Sequence, residues 1–318
     1  MKLGDAYTAD EFSRREVLAG ASGAVALSAL PQAALAADAP IMTRRIPVSG
    51  EAMPVVGLGT VGVFNFENDA QKLDAVKQTV QAMIVSGGKL IDSAASYGKA
   101  EERIGDVITD LNVRGKVFLA TKFASTDAPD AQLASAKESL RKMKVPSADL
   151  LQAWNVADPN YKLGALRDWK AQGVCRYTGI TSSFRTAYEA LPPVLKREKP
   201  DFFQINYSLA DRESEKVLLP AAKDSGAAVL INLPFGGGRN SLFKKVAGKQ
   251  VPDFAVEFDA KTWGQFFLKF IVSHPAVTAV IPGTNDPAHM LDNLGAGRGR
   301  MPDAAMRKRM TDYWDALG

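Results

Sequence analysis

The sequence predicts a single (β/α)₈ barrel, and three observations carry that prediction. From residue 41 onward, eight short β-branched or apolar runs alternate with stretches of helical period. No linker or low-complexity segment divides the chain of 318 residues, so one large α/β domain accommodates it. The competing fold, a doubly wound open sheet, would place a glycine-rich phosphate turn directly after an early strand. GLGTVGV at 57–63 is only a partial G-x-G, with its later glycine at the wrong spacing.

The elements follow in order. TRRIPVSGEAMPVV, ahead of the first strand, holds a Ser-Gly turn between extended residues and predicts a hairpin closing the bottom of the barrel. The strand runs are VVGLGT (55–60), KLIDSA (89–94), VFLATK (117–122) and LLQAW (150–154). They continue as YTGIT (177–181), FFQIN (202–206), AAVLINL (227–233) and VTAVIPG (277–283). Between them, Leu73, Val76, Val80 and Met83 share one helical face, as do Ile104, Val107, Ile108 and Leu111. Leu133, Ala136, Leu140 and Met143 form another stripe, and Trp263, Phe266, Phe267, Phe270 and Ile271 the most apolar one. All are packing faces. The longest irregular stretch, about 234–262 with GGG at 236–238, is a candidate cofactor-covering loop.

Composition narrows the function. The formal charge is +4 with Lys and Arg scattered, so no nucleic-acid partner is indicated. A lone cysteine, Cys175, excludes an intramolecular disulfide and reads as a small buried residue. Two histidines, His274 and His289, with no H-E-x-x-H or C-x-x-C spacing, argue against a metal site. His274 in SHPAV reads as a helix terminator.

Residues 1–36 are a different kind of sequence. SRREVLAG at 13–20 sets Arg14 and Arg15 before an apolar, small-residue run to Leu30; Pro31 breaks the run, and ALA at 34–36 offers the small residues a signal peptidase reads. The run is too short to span a bilayer comfortably. The segment resembles a twin-arginine export signal. The expectation is a cleaved signal at 1–36, a barrel at 41–318, passage through the twin-arginine translocation machinery, periplasmic residence and no stable membrane anchor. That route carries folded proteins, so a cofactor could enter before export.

In such a barrel the active site lies at the C-terminal strand ends. The second strand delivers Asp92, with Tyr97 shortly after it; the third ends in Thr121 and Lys122; the sixth contributes Gln204 and Asn206. A phenol with a pKa of about 10 is a poor acid at neutral pH. A nearby cation stabilises the phenolate and lowers that value, while a buried carboxylate holds the cation charged and in place. The same residue types also make a buried ion pair beside a tyrosine, but their gathering at successive strand mouths favours chemistry.

GLGT, IDSAASYGKAEERIG, FLATK, DLLQ, YTGIT, FFQINYSL and SHPAVTAVIPGTNDPAHMLDNL together resemble the aldo/keto reductase family, across essentially the whole chain after the signal. The resemblance implies a metal-free barrel that reduces small-molecule carbonyl substrates with NADP(H), NAD(H) being the alternative cofactor. It implies that Tyr97 protonates the carbonyl oxygen as hydride arrives, supported by Lys122 and Asp92. Thr60 and Val61 would lie near the nicotinamide ribose, and Thr181, Ser182 and Gln204 at the carboxamide, although the family usually has Asn or His at 182. Asn232 stands where many members stack a tyrosine on the nicotinamide; Pro234, Phe235 and Gly236 open the loop over the pyrophosphate. Thr284, His289, Asp292 and Asn293 match the adenosine segment, with Gly283 and His289 where lysine and arginine often grip the 2′-phosphate. That loss weakens charge-assisted recognition.

One catalytic position departs from the pattern. Where the family motif on the fourth strand has histidine, this chain has Trp154, which offers one indole N–H, accepts nothing and cannot relay a proton. Three readings follow: a carbonyl reductase that is slower or narrower, a reductase of activated C=C bonds, or a nucleotide-binding barrel with little turnover that serves as a sensor or scaffold.

Overall fold

The structure, a computed structural model, describes residues 39–237 and 241–317; the twin-arginine segment lies outside the described residues. An antiparallel hairpin comes first, β1 (Thr43–Arg45) against β2 (Ala52–Pro54). Eight parallel strands follow: β3 (Leu58–Gly59), β4 (Leu90–Asp92), β5 (Phe118–Ala124), β6 (Ala148–Trp154), β7 (Cys175–Ser182), β8 (Phe202–Asn206), β9 (Ala228–Asn232) and β10 (Ala279–Val280). Their spatial order is their chain order. Val56 and Gly59 bridge to Val280 and Gly283, so the last strand meets the first and the sheet closes nearly into a barrel. Closure needs a glycine: a Cβ on Gly59 would stand 2.7 Å from the Ile281 carbonyl oxygen.

The crossovers are helical, as parallel neighbours require. They are α1 (Ala70–Val85), α2 (Ala100–Asp110), α3 (Pro129–Lys142), α4 (Gly164–Ala171), α5 (Leu191–Glu198) and α6 (Leu218–Ser225). After β9 come the short α7 (Leu242–Lys245) and α8 (Trp263–Val272); α9 (Pro287–Gly295) and α10 (Ala304–Ala316) follow β10. The stripes read from the sequence are the buried faces: Val76, Val80 and Met83 on α1, and Ile104, Val107 and Ile108 on α2. Asp69 and Thr262 cap α1 and α8 by accepting from Lys72 and Gln265 backbone N–H groups. His274 follows α8, as expected, and Cys175 is buried. Burial pushes the Cys175 thiol up to about 11, which leaves it inert.

The part 241–262 of the stretch 234–262 is more ordered than its composition predicts. It contains α7 and a 3₁₀ turn at Asp253–Phe258, pinned by buried Leu242, Val246, Phe254 and Phe258. Four residues of helix carry too little periodicity to read from a sequence.

Two apolar layers result. The larger lies between sheet and helices. The smaller fills the barrel: Leu90, Phe118, Leu150, Tyr177, Phe202, Leu230 and Ile281 pack with Ile46 and Met53 of the hairpin. Phe118, Tyr177 and Phe202 pack with centroids 5.4–5.8 Å apart, Phe118 stacked on Tyr177 and Phe202 edge-on to Tyr177. The Tyr177 hydroxyl meets Ser49 Oγ at 2.8 Å and Glu51 Oε2 at 2.9 Å. The hairpin therefore plugs the barrel floor, and the opposite mouth is left for polar groups.

Candidate active site

Strand geometry assembles the site. Side chains alternate across a strand, so each inward apolar residue announces the inward residue two positions on. Leu90 is followed in phase by Asp92, Ala120 by Lys122, and Leu150 by Gln152 and Trp154. Tyr177 leads to Thr181, Phe202 to Gln204 and Asn206, and Leu230 to Asn232. Parallel register then sets neighbours side by side: Lys122 with Gln152, Trp154 with Thr181, Thr181 with Gln204, Asn206 with Asn232.

Asp92 is the hub of this layer. Its Oδ1 accepts a short hydrogen bond from Lys122 Nζ, and its Oδ2 accepts from Gln204 Nε2 at 3.0 Å and Gln152 Nε2 at 3.3 Å. The Asp92 and Lys122 side chains are 3% and 2% exposed, which makes this a fully buried ion pair. Lys122 Nζ also donates to the Ser93 carbonyl at 2.7 Å. Thr60 Oγ1 bridges the Asp92 carbonyl and Ser93 Oγ, both at 3.0 Å, and Thr181 Oγ1 donates to Gln204 Oε1 at 3.2 Å. Burial alone would push the Lys122 ammonium toward neutrality, but the charges of Asp92 and Tyr97 and the Asp92 hydrogen bond raise its pKa instead. Lys122 is thus favoured in its charged form.

Tyr97 stands over that cation, with Lys122 Nζ 5.3 Å from its ring centroid. The segment that carries it is laced to β5: Ser93 and Ala95 N–H groups donate to the Ala120 and Lys122 carbonyls, and Tyr97 N–H turns back onto Ala94. Gly98 completes the turn at φ +60°, where a Cβ would strike Asn65 Oδ1 at 2.2 Å. Asn65 Oδ1 in turn accepts from Lys99 N–H. Tyr97 is half-buried, with its backbone fixed on both sides. Behind Lys122, buried Glu101 at the start of α2 accepts from Thr121 Oγ1 at 2.5 Å.

Trp154 is half-buried at the end of β6, beside Thr181. Asn155 follows it in the left-handed region, φ 56°, and its Oδ1 accepts from Ser183 N–H at 3.4 Å. The strand thus turns away immediately after the indole, leaving Trp154 as its last inward residue.

The cofactor candidates fall into groups. Thr60, Asp92, Thr181 and Gln204 join the hub. Asn232 pairs in register with Asn206, one inward step beyond Gln204 on β8. Ser182 is in the outward phase, and its Oγ accepts from Phe184 N–H at 3.3 Å. Val61 lies exposed just beyond Thr60. Pro234, Phe235 and Gly236 open the loop after β9, where Phe235 packs 4.9 Å from Phe243. Gly283 sits against Gly59 at the barrel seam. Thr284, His289, Asp292 and Asn293 form a separate cluster around α9. Asp286 caps that helix through Ala288 and His289 N–H groups, and Thr284 Oγ1 accepts from Asp286 N–H at 3.0 Å. Asp292 accepts from Thr262 Oγ1 and Gln265 Nε2, and exposed His289 lies 3.9 Å from Asp286. Asn293 is buried.

The family model for the aldo/keto reductase family matches residues 55–310. The chain belongs to the aldo/keto reductase family. An aldo-keto reductase of Strobilurus tenacellus is 26% identical, with 85% of this chain and 92% of that protein covered. Among solved structures, an aldo-keto reductase from Klebsiella pneumoniae in complex with NADPH aligns at TM-score 0.70 and 24% identity, covering 86% of this chain and 95% of its own. The holo form of one from Bacillus halodurans aligns at TM-score 0.68 and 19% identity, covering 86% and 96%. At these identities the structural likeness speaks for the fold.

Within this reductase barrel, sequence reasoning missed Gln152, Ser93 and Glu101. Gln152 was legible in principle, since it stands two residues before Trp154 in the inward phase. Ser93 and Glu101 enter through contacts with β3, β5 and α2 that no local pattern records.

Proposed function

We propose that this reductase transfers hydride from NADP(H) to the carbonyl carbon of a small aldehyde or ketone, with Tyr97 giving its phenolic proton to the carbonyl oxygen. The observation that carries this reading is the Lys122 ammonium, buried, held charged by Asp92 and facing the Tyr97 ring. A fixed cation there stabilises the phenolate left after proton transfer, so the phenol becomes a competent acid near neutral pH. Gln152 and Gln204 satisfy the other oxygen of Asp92, which keeps its charge aimed at Lys122. The indole N–H of Trp154 then supplies a single hydrogen bond toward the carbonyl oxygen, in place of the histidine's.

When bound, NADPH supplies the hydride. The residues present fit it: buried acceptor oxygens on Asn206 and Asn232 lack a protein partner beside the hub, as a site for an amide-bearing group requires. Thr60, Val61, Asp92, Thr181, Gln204 and Asn232 would hold the nicotinamide half, and Pro234, Phe235 and Gly236 the pyrophosphate. Gly283, Thr284, His289, Asp292 and Asn293 would hold the adenosine half. NADPH in the Klebsiella pneumoniae structure supports the phosphorylated cofactor; NADH is the alternative, because position 283 is glycine and His289 is the only imidazole nearby.

The loss of the histidine at position 154 makes activated C=C bonds the alternative substrate class. The test is one panel. NADPH and NADH are titrated by fluorescence, then oxidation is followed with small aldehydes, dicarbonyls and enones. Turnover confined to carbonyls is expected; turnover confined to enones selects the second class, and nucleotide binding without turnover selects a sensor or scaffold.

A further inference from the structure

The side chains expected to hold the nicotinamide carboxamide are already engaged. Gln204 spends Nε2 on Asp92 Oδ2 at 3.0 Å and Oε1 on Thr181 Oγ1 at 3.2 Å. Ser182, which stands where the family usually has an amide or imidazole, is in the outward phase with its Oγ accepting from Phe184 N–H. Three amide oxygens nearby are not engaged: Gln152 Oε1 in the Asp92 layer, and two one inward step further toward the mouth. Asn206 Oδ1 and Asn232 Oδ1 are both buried without a protein partner. They belong to residues paired directly across β8 and β9, on strands about 4.8 Å apart.

Both acceptors are held in place. Asn206 Nδ2 donates to the Ser183 carbonyl at 2.8 Å, which orients the amide and turns Oδ1 the other way. Ser214 Oγ donates to the Asn206 carbonyl at 2.7 Å and fixes the backbone. Asn232 is followed by Leu233 at φ 48° and then by Pro234. A bulky residue in the left-handed region is strained and persists only where its surroundings demand it. Two neutral carbonyl oxygens reject an anion and are too few for a bare cation. They suit a neutral group with two N–H donors.

We propose that Asn206 and Asn232 together accept the carboxamide N–H donors of the nicotinamide, so that recognition has moved from position 182 to the ends of β8 and β9. This rests on the NADP(H) reading above. The same pair explains why a tyrosine is dispensable at 232: the contact there is a hydrogen bond rather than ring stacking.

The test is calorimetric titration of the purified protein with three ligands. These are NADP⁺, its 3-acetylpyridine analogue, in which a methyl replaces the carboxamide NH₂, and 2′,5′-ADP, which lacks the nicotinamide. Wild type should bind NADP⁺ about ten- to a hundredfold more tightly than the analogue, the worth of two neutral hydrogen bonds. Asn232→Leu and Asn206→Leu should each weaken NADP⁺ binding about three- to tenfold, narrow the difference between the two dinucleotides by that factor, and leave 2′,5′-ADP binding unchanged. Asn206→Leu also removes the Ser183 contact, so Asn232→Leu, at a residue whose Oδ1 has no protein partner, carries the test if the former misfolds. Wild-type affinity for NADP⁺ in Asn232→Leu, or an equal loss for 2′,5′-ADP, overturns the inference alone. Failure of wild type to bind any dinucleotide overturns the proposed function and this inference with it.

Discussion

At the scale of single residues, Trp154 decides how far this chain departs from its family. Its indole can donate one hydrogen bond, while the histidine it replaces could also exchange a proton. If the N–H is used, Trp154→Phe should lower kcat/KM for a small aldehyde about tenfold, and Trp154→His should raise it about tenfold or more. Steady-state rates on the three proteins check this; an inert Trp154→Phe would make the indole packing only. Asp92 is the second decisive residue. It balances a cation that is completely buried, so Asp92→Asn leaves Lys122 uncompensated. Urea unfolding should show a loss of about 3–5 kcal/mol, and activity should fall with it. Unchanged stability would show that Lys122 finds another partner or loses its proton without cost.

At the scale of elements, the two-residue period of the strands explains both what the sequence disclosed and what it hid. Lys122 and Gln204 were legible because polar residues inside apolar runs demand a reason. Gln152 met the same criterion, yet in DLLQAW it reads as the end of an apolar run until Leu150 is known to face the barrel interior. The hairpin was legible from its Ser-Gly turn, but its plugging residues, Ile46 and Met53, belong to a cluster drawn from seven distant strands. Helix α2 adds a pH device. Burial pushes the Glu101 carboxyl up, against the lowering effect of its bond from Thr121. A raised folded pKa stabilises the fold below the carboxyl's ordinary range, and that contribution is lost as pH rises through the folded value. Glu101→Gln keeps an acceptor for Thr121 and carries no charge. Its Tm should exceed that of wild type by about 2–4 °C at about pH 8 and converge with it at about pH 4. Thermal scans across that range check the sign; a lower Tm at the alkaline end would contradict it.

At the scale of the whole molecule, the alternation of eight strand runs with helical stripes was enough to give the closed barrel, because parallel neighbours with right-handed crossovers leave few other topologies. Closure itself was not legible: it rests on Gly59 meeting Ile281 and Gly283 from the far end of the chain. We also propose, from Arg14 and Arg15 ahead of an apolar run, that the barrel is exported folded to the periplasm. Replacing both arginines by lysine should retain the unprocessed protein in the cytoplasm, as fractionation and mass measurement would show. Export of the doubly substituted protein would refute a twin-arginine route.

The central claim is that Tyr97, made acidic by the buried Lys122 cation, protonates the substrate oxygen. The most direct measurement is NADPH oxidation by wild type and Tyr97→Phe with the same small aldehyde, alongside NADPH affinity for both. The account predicts a fall in kcat of about 10²–10⁴ with cofactor affinity essentially kept. A Tyr97→Phe variant that turns over at the wild-type rate would contradict it.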